Sequence, residues 1–135
     1  GVQTCALPIL AANQEYATAQ NNLGVCCNNG EGVKKDFGEA VKWYRLAVDQ
    51  GNVYGQNNLG VCYQYGQGVE KDYTEAAKWY RLAADQGCAM GQRLLGNCYR
   101  YGYGVAKSDE EAVKWYRLSA DQGNAAAKDA LKQLL

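Results

Sequence analysis

Apolar residues in this chain keep a helical beat that stops at a glycine and then resumes. In the stretch YATAQNNLGVCCNNG, Ala19, Leu23, Cys26 and Cys27 fall at three- and four-residue steps and predict a helix from about Tyr16 to Asn28. Asn29 and Gly30 follow, and glycine readily takes the left-handed conformation that closes a helix. A second stripe, Ala40, Trp43, Tyr44 and Ala47, predicts a second helix. Asp36 stands at its start with Glu39 three places on, the spacing of a capping box, and Gly51 ends it.

This two-helix pattern recurs in rows of 36 residues, 15–50, 51–86 and 87–122. Trp43, Trp79 and Trp115 fall in register, as do Leu23, Leu59 and Leu95, and Gly24, Gly60 and Gly96. The helix-start pair recurs as Asp72 with Glu75 and Ser108 with Glu111. A hairpin of two short helices cannot bury its apolar stripe alone; stacked neighbours bury it. The expected fold is therefore all-α, a solenoid of helix-turn-helix repeats. Glycine inside a helix costs up to about 1 kcal/mol against alanine. Its recurrence at Gly24, Gly60 and Gly96 predicts close approach of the paired helix, with Ala19, Gly55 and Gly91 small for the same reason. Each tryptophan is expected to bury about 150–250 Å², so that truncation costs about 3–5 kcal/mol. A ligand contact need not recur in every row, whereas a packing contact must; the three tryptophans are therefore read as structural. The turns GEGV, GQGV and GYGV lack the preceding strand and third glycine of a dinucleotide loop and read as hairpin turns.

Row two carries Leu59, Gly60, Tyr63, Gly66, Gly68, Val69, Asp72, Ala76, Trp79, Tyr80, Ala83, Ala84 and Gly87 at fixed spacing. This pattern resembles the Sel-1-like repeat, a relative of the tetratricopeptide repeat. Departures are few: Cys27 stands where tyrosine is expected, Gly55 and Gly91 replace an alanine, and Ser108 replaces an aspartate. The resemblance implies a right-handed superhelix that scaffolds protein complexes, without a shared catalytic centre. In bacteria such proteins often act in signalling, envelope processes or host contact.

The register also bears on the ends. LAANQE, residues 10–15, aligns with LAADQG, residues 82–87, which makes residues 10–14 the remnant of an earlier repeat. Before Leu10 the pattern fails abruptly, and Pro8 would break the helix it requires. GVQTCALPI resembles the in-frame translation of a sequencing-library adapter. Residues 1–9 are therefore expected to be non-native and are set aside from fold reasoning, with further repeats expected upstream. Residues 123–135 keep Ala127 and Leu131 in register but place Lys132 where glycine would sit, which predicts a polar-faced closing helix at a native C-terminus.

Composition narrows the chemistry. Lys+Arg and Asp+Glu are 14 each, so no net field draws nucleic acid or an anionic membrane, and no apolar run reaches membrane-span length. The partner is expected to be a protein or peptide, with no nucleic acid and no membrane insertion. There is no histidine, which removes the commonest general base and metal ligand. No metal, cofactor or catalytic residue is expected. Of the six cysteines, Cys5 lies in the suspect segment. Cys26, Cys62 and Cys98 are register equivalents on helices about 8–10 Å apart, beyond the reach of a disulfide. Cys88 and Cys98 are roughly 15 Å apart along one helix. Cysteine-rich proteins of the family bridge successive repeats, but the corresponding positions here, such as Val48 and Gln56, are not cysteine. Buried free thiols are expected, which lean towards a reducing compartment; the compartment is otherwise open.

In related superhelices the first helix of each pair lines the concave face. The stripe expected opposite the core is Thr18, Asn21, Val25 and Asn28, then Tyr54, Asn57, Val61 and Gln64, then Met90, Arg93, Asn97 and Arg100. These positions vary between rows, as binding positions should. The candidates for peptide binding are Asn21, Tyr54, Asn57, Met90, Arg93, Asn97 and Arg100. Asn57, Arg93, Asn97 and Arg100 suit the carboxylates and backbone of an extended acidic peptide or chain end; the alternative is a solvated polar face. Tyr65, Tyr101 and Tyr103 offer a second contact edge near the hairpin turns. The expected function is a peptide-binding scaffold. One alternative is a cysteine-containing hydrolase acting on β-lactams or cell wall, against which stand the missing histidine and Ser-x-x-Lys, and the recurrence of Glu39, Glu75 and Glu111 at helix starts. A third reading is a structural spacer in a longer chain.

Overall fold

The computed structural model describes residues 16–135. The expectations for residues 1–9 and 10–14 lie outside the described residues. Seven helices and no strand occur among those described: α1 (Ala17–Asn29), α2 (Phe37–Asp49), α3 (Val53–Tyr65), α4 (Tyr73–Asp85), α5 (Ala89–Tyr101), α6 (Asp109–Asp121) and α7 (Ala125–Leu134). They divide into two compact units, one running to Lys71 and the other Asp72–Leu135. In the first, α2 packs against α1 and α3; in the second, α5 packs against α4 and α6, and α6 against α7.

The predicted helix starts are present. The side chains of Asp36, Asp72 and Ser108 accept from the backbone N–H of Glu39, Glu75 and Glu111 at 3.0, 3.1 and 3.2 Å. The return half of a capping box goes elsewhere. The N–H of Asp36 donates to the Cys27 carbonyl at 2.8 Å, and that of Ser108 to the Tyr99 carbonyl at 2.9 Å. The cap thus ties the second helix onto the first. Glu39 and Glu75 turn outward to Lys42 and Lys78, at 3.2 and 3.3 Å, in exposed pairs that add little.

The Gly-x-Gly-Val turns are hairpin turns with two separate tasks. The first glycine, Gly30, Gly66 or Gly102, is the left-handed cap of the first helix. The second also takes positive φ and, at Gly68 and Gly104, abuts the preceding repeat. At Gly68 (φ 75°) a Cβ would collide with the carbonyl of Phe37, and at Gly104 (φ 72°) with that of Tyr73. Each turn lies directly on the start of the preceding repeat's second helix.

Leu23, Leu59 and Leu95 are buried as expected. The deep aromatic residue, however, is the tyrosine after each tryptophan: Tyr44, Tyr80 and Tyr116 are buried, Trp115 is buried, and Trp43 and Trp79 are only half-buried. The ring of Tyr44 occupies the space a side chain on Gly24 would need, and Tyr116 does so at Gly96. The close approach predicted at these glycines is therefore real, with a tyrosine ring rather than helix backbone as the intruder. Gly55 meets the backbone and Cβ of α2 at Tyr44 and Ala47, and Gly91 that of α4 at Ala83 and Ala84.

Gln20, Gln56 and Gln92 are also buried, at one register position. Gln50 Nε2 donates to Gln20 Oε1 at 2.5 Å, and Gln122 Nε2 to Gln92 Oε1 at 2.9 Å, so these amides exchange water for each other. Successive repeats are further tied by arginine. Arg45 donates to the Tyr63 hydroxyl at 2.8 Å, and Arg81 donates to that of Tyr99. In α7, Ala127 and Ala130 join Ala112 and Tyr116 in a buried cluster flanked by Leu131 and Leu134, while Lys132 faces solvent.

Candidate functional site

The first-helix stripes are resolved position by position. In the unit running to Lys71, Tyr54 is 58% exposed on α3. Asn21 and Asn57 do not face away from the core: they are 7% and 1% exposed. Asn21 Oδ1 accepts from Asn58 Nδ2 at 2.9 Å, a bond between α1 and α3. The outward asparagine on α1 is instead its neighbour Asn22, which is exposed, while Asn58 on α3 is half-buried and turned to Asn21. The physical reason is that adjacent helical residues are about 100° apart. On the expected stripe Thr18, Tyr54 and Met90 are exposed, and only Asn21 and Asn57 turn into the packed side.

In the unit Asp72–Leu135, α5 presents Met90, which is exposed, and Arg93, Asn97 and Arg100, which are half-buried. The structure gathers the last three around one hydroxyl. Tyr116 donates to Asn97 Oδ1, and Arg100 hydrogen-bonds to the same phenol. Burial pushes the Tyr116 pKa up, and the hydrogen bond and charge of Arg100, with the charge of Arg93, pull against that. The Arg93 Nε is buried without a hydrogen-bond partner. Among the described residues no carboxylate forms an ion pair with Arg93 or Arg100. Two cations held at a phenol without a counter-charge make a site suited to an anion.

Of the three tyrosines expected near the hairpin turns, Tyr101 and Tyr103 lie together in this unit. Tyr103 stacks on Tyr73, centroids 4.7 Å apart, and Tyr101 tilts against Tyr103 at 5.6 Å, with the Arg100 guanidinium 5.3 Å from the Tyr101 ring. Tyr65, in the other unit, is exposed by itself on α3.

Cys27, Cys62 and Cys98 are buried free thiols, as expected. Burial pushes Cys62 up to about 11 and Cys98 up to about 12, which keeps both protonated and inert near neutrality. Cys26 departs from the expectation: it is disulfide-bonded. Among the described residues no group of three or more Cys, Asp or Glu side chains is placed to hold a metal ion, and no helix is long and apolar enough to cross a membrane.

Reasoning from sequence missed the buried glutamines and the inter-repeat arginines. Their signal was present: Gln20, Gln56 and Gln92, and Arg45, Arg81 and Arg117, recur in every row as strictly as the tryptophans.

Three consecutive segments, residues 17–52, 53–88 and 89–124, match the Sel1 repeat. The chain belongs to the Sel1 repeat family. Solved Sel1 structures carry the same fold. A Sel1 repeat protein from Oxalobacter formigenes superposes with a TM-score of 0.92 at 32% identity, over 96% of this chain and 52% of that one. A protective antigen of uropathogenic Escherichia coli strains that displays an SLR fold gives 0.90 at 40% identity, over 98% of this chain and 28% of its own. Cysteine rich protein B of Helicobacter pylori gives 0.73 at 26% identity, over 90% and 92%. The chain thus spans about half of the first protein and about a quarter of the second. No curated protein matches it in sequence. The α-helical solenoid expected from the 36-residue period is the fold these Sel1 proteins share.

Proposed function

We propose that this Sel1 chain is a non-enzymatic scaffold whose first-helix faces hold a segment of a partner protein. The observation that carries the reading is the group Arg93, Asn97 and Arg100 around the Tyr116 hydroxyl, which has two guanidinium charges and no carboxylate of its own among the described residues. An acidic, extended segment supplies the missing charge, and its backbone takes the remaining amide donors of Asn97. Met90 on the same helix is exposed and offers apolar contact. Asn21 and Asn57, being buried in the other unit, are not available to a partner. The variation of exposed positions between repeats, Thr18, Tyr54 and Met90, against the constancy of packed ones, fits a surface selected for a partner.

Selection of random peptides on the immobilised chain tests this. Acidic, extended sequences are expected to be enriched, and the double variant Arg93→Glu, Arg100→Glu, with unchanged helicity, is expected to lose them. Retention of the same peptides by the double variant removes the site from the proposal. A selection that enriches nothing removes the scaffold reading itself.

A further inference from the structure

We propose that a notch between α4 and the turn after α5, apart from the first-helix face, receives a glutamate side chain of a partner protein. Thr74, Ala77, Lys78 and Arg81 lie on one face of α4 and, with Gly104 and Val105, line an open notch of about 190 Å³. Ala77 opens it. The register equivalents are Val41 and Val113. At Val41 a γ-methyl comes within 2.9 Å of the place a Cβ would take on Gly68; Ala77, opposite Gly104, has no γ-methyl to fill the corresponding space.

The chemistry of the walls selects the occupant. Ala77, Val105 and the stem of Lys78 are apolar and suit two methylene groups; phosphate would leave its oxygens against them unsatisfied. Arg81 stands ready at the mouth. It donates to the Tyr99 hydroxyl, and its guanidinium lies 5.9 Å from the Tyr99 ring and 5.7 Å from that of Trp115. No carboxylate among the described residues pairs with it, whereas Lys78 is already engaged by Glu75 at 3.3 Å. An arginine tethered to the Tyr99 hydroxyl beside two aromatic rings has part of its side-chain freedom restricted in advance, so a carboxylate binding its open N–H groups meets a smaller entropic cost. The Tyr73–Tyr103 stack flanks the notch in sequence on both walls and gives the neighbouring residues of the partner an aromatic surface.

The test is a residue-resolved NMR titration of the whole chain with a terminally blocked hexaglutamate peptide. Saturable shifts are expected at the amides of Thr74, Ala77, Gly104 and Val105. Ala77→Val is expected to weaken them about tenfold, the scale on which one methyl group acts in a tight pocket. Because Val41 and Val113 occupy the same register position, this variant leaves the fold intact, checked by its own amide spectrum. Equal shifts with hexaglutamine would show that charge is not read and overturn the proposal. So would an unaltered response of Ala77→Val, or shifts confined to Arg93, Asn97 and Arg100, which would instead support the first-helix site alone.

Discussion

The ring of Tyr44 lies where a side chain on Gly24 would stand: a Cβ there would be 2.5 Å from Cε1. The same joint recurs between Gly96 and Tyr116, at 2.7 Å. Alanine would raise the helix propensity of α5 by up to about 1 kcal/mol. It would also push a fully buried ring out of place, a change that costs about 1–3 kcal/mol in a packed core. Gly96→Ala is therefore expected to be destabilised on balance, read from its urea midpoint by circular dichroism. A midpoint above the parent's would mean that the ring yields and that the joint is not what holds the two helices together.

Gly104 and Gly123 separate two reasons for a glycine. Both have positive φ, 72° and 93°. Around Gly123 no atom lies within 4 Å of a Cβ, whereas at Gly104 a Cβ would strike the Tyr73 carbonyl. Gly123→Ala is expected to lose only the left-handed penalty, about 1–2 kcal/mol. Gly104→Ala should lose that and a further 1 kcal/mol or so from backbone collision. Equal losses in urea titrations would show that the turn is not pressed onto α4.

The repeat, its helix starts and its glycine ends were legible because each is a local signal repeated in register. Asp36, Asp72 and Ser108 announce their helices whatever surrounds them. What lay beyond the sequence is the fine rotation of each helix. Asn21 and Asn22, or Asn57 and Asn58, are chemically identical neighbours; polarity alone cannot say which one points inward, and the bond between α1 and α3 joins the buried Asn21 to the half-buried Asn58. Gln20 and Gln92 are a different case: their recurrence marked them as packing residues, but hydropathy reads an amide as surface unless its partner is known. In the candidate site, Arg93, Asn97 and Arg100 share a helix face that sequence gives directly, while Tyr116, which gathers them, comes from the next helix.

Tyr116 joins the core to that site, and its two roles can be separated. Its ring fills the space against Gly96, and its hydroxyl bridges Arg100 and Asn97. Tyr116→Phe keeps the ring and deletes the bridge, for an expected loss of about 1 kcal/mol. Tyr116→Ala empties the joint and is expected to lose about 3–5 kcal/mol. Similar losses for the two variants, measured by urea unfolding, would place the whole contribution in the hydroxyl and contradict the packing seen at Gly96.

The buried thiols give the fold an alkaline limit. Cys62 and Cys98 ordinarily ionise near 9.0, and burial raises them to about 11 and about 12, with Arg45 opposing the shift at Cys62. Between those values the unfolded chain has released its protons and the folded chain has not. Unfolding then releases protons, and stability falls as pH rises. The contribution is complete below pH 9 and is lost as pH climbs through about 11 and about 12. Tyr44 and Tyr116, also raised by burial, add to the same slope. The urea midpoint is therefore expected to be level in pH towards neutrality and to decline above pH 9. Cys98→Ala is expected to start lower, because it leaves a small cavity, and to decline less steeply. An unchanged slope in that variant would show that the Cys98 thiolate is as well solvated in the folded chain as in the unfolded one, which its burial between α5 and its neighbours does not allow.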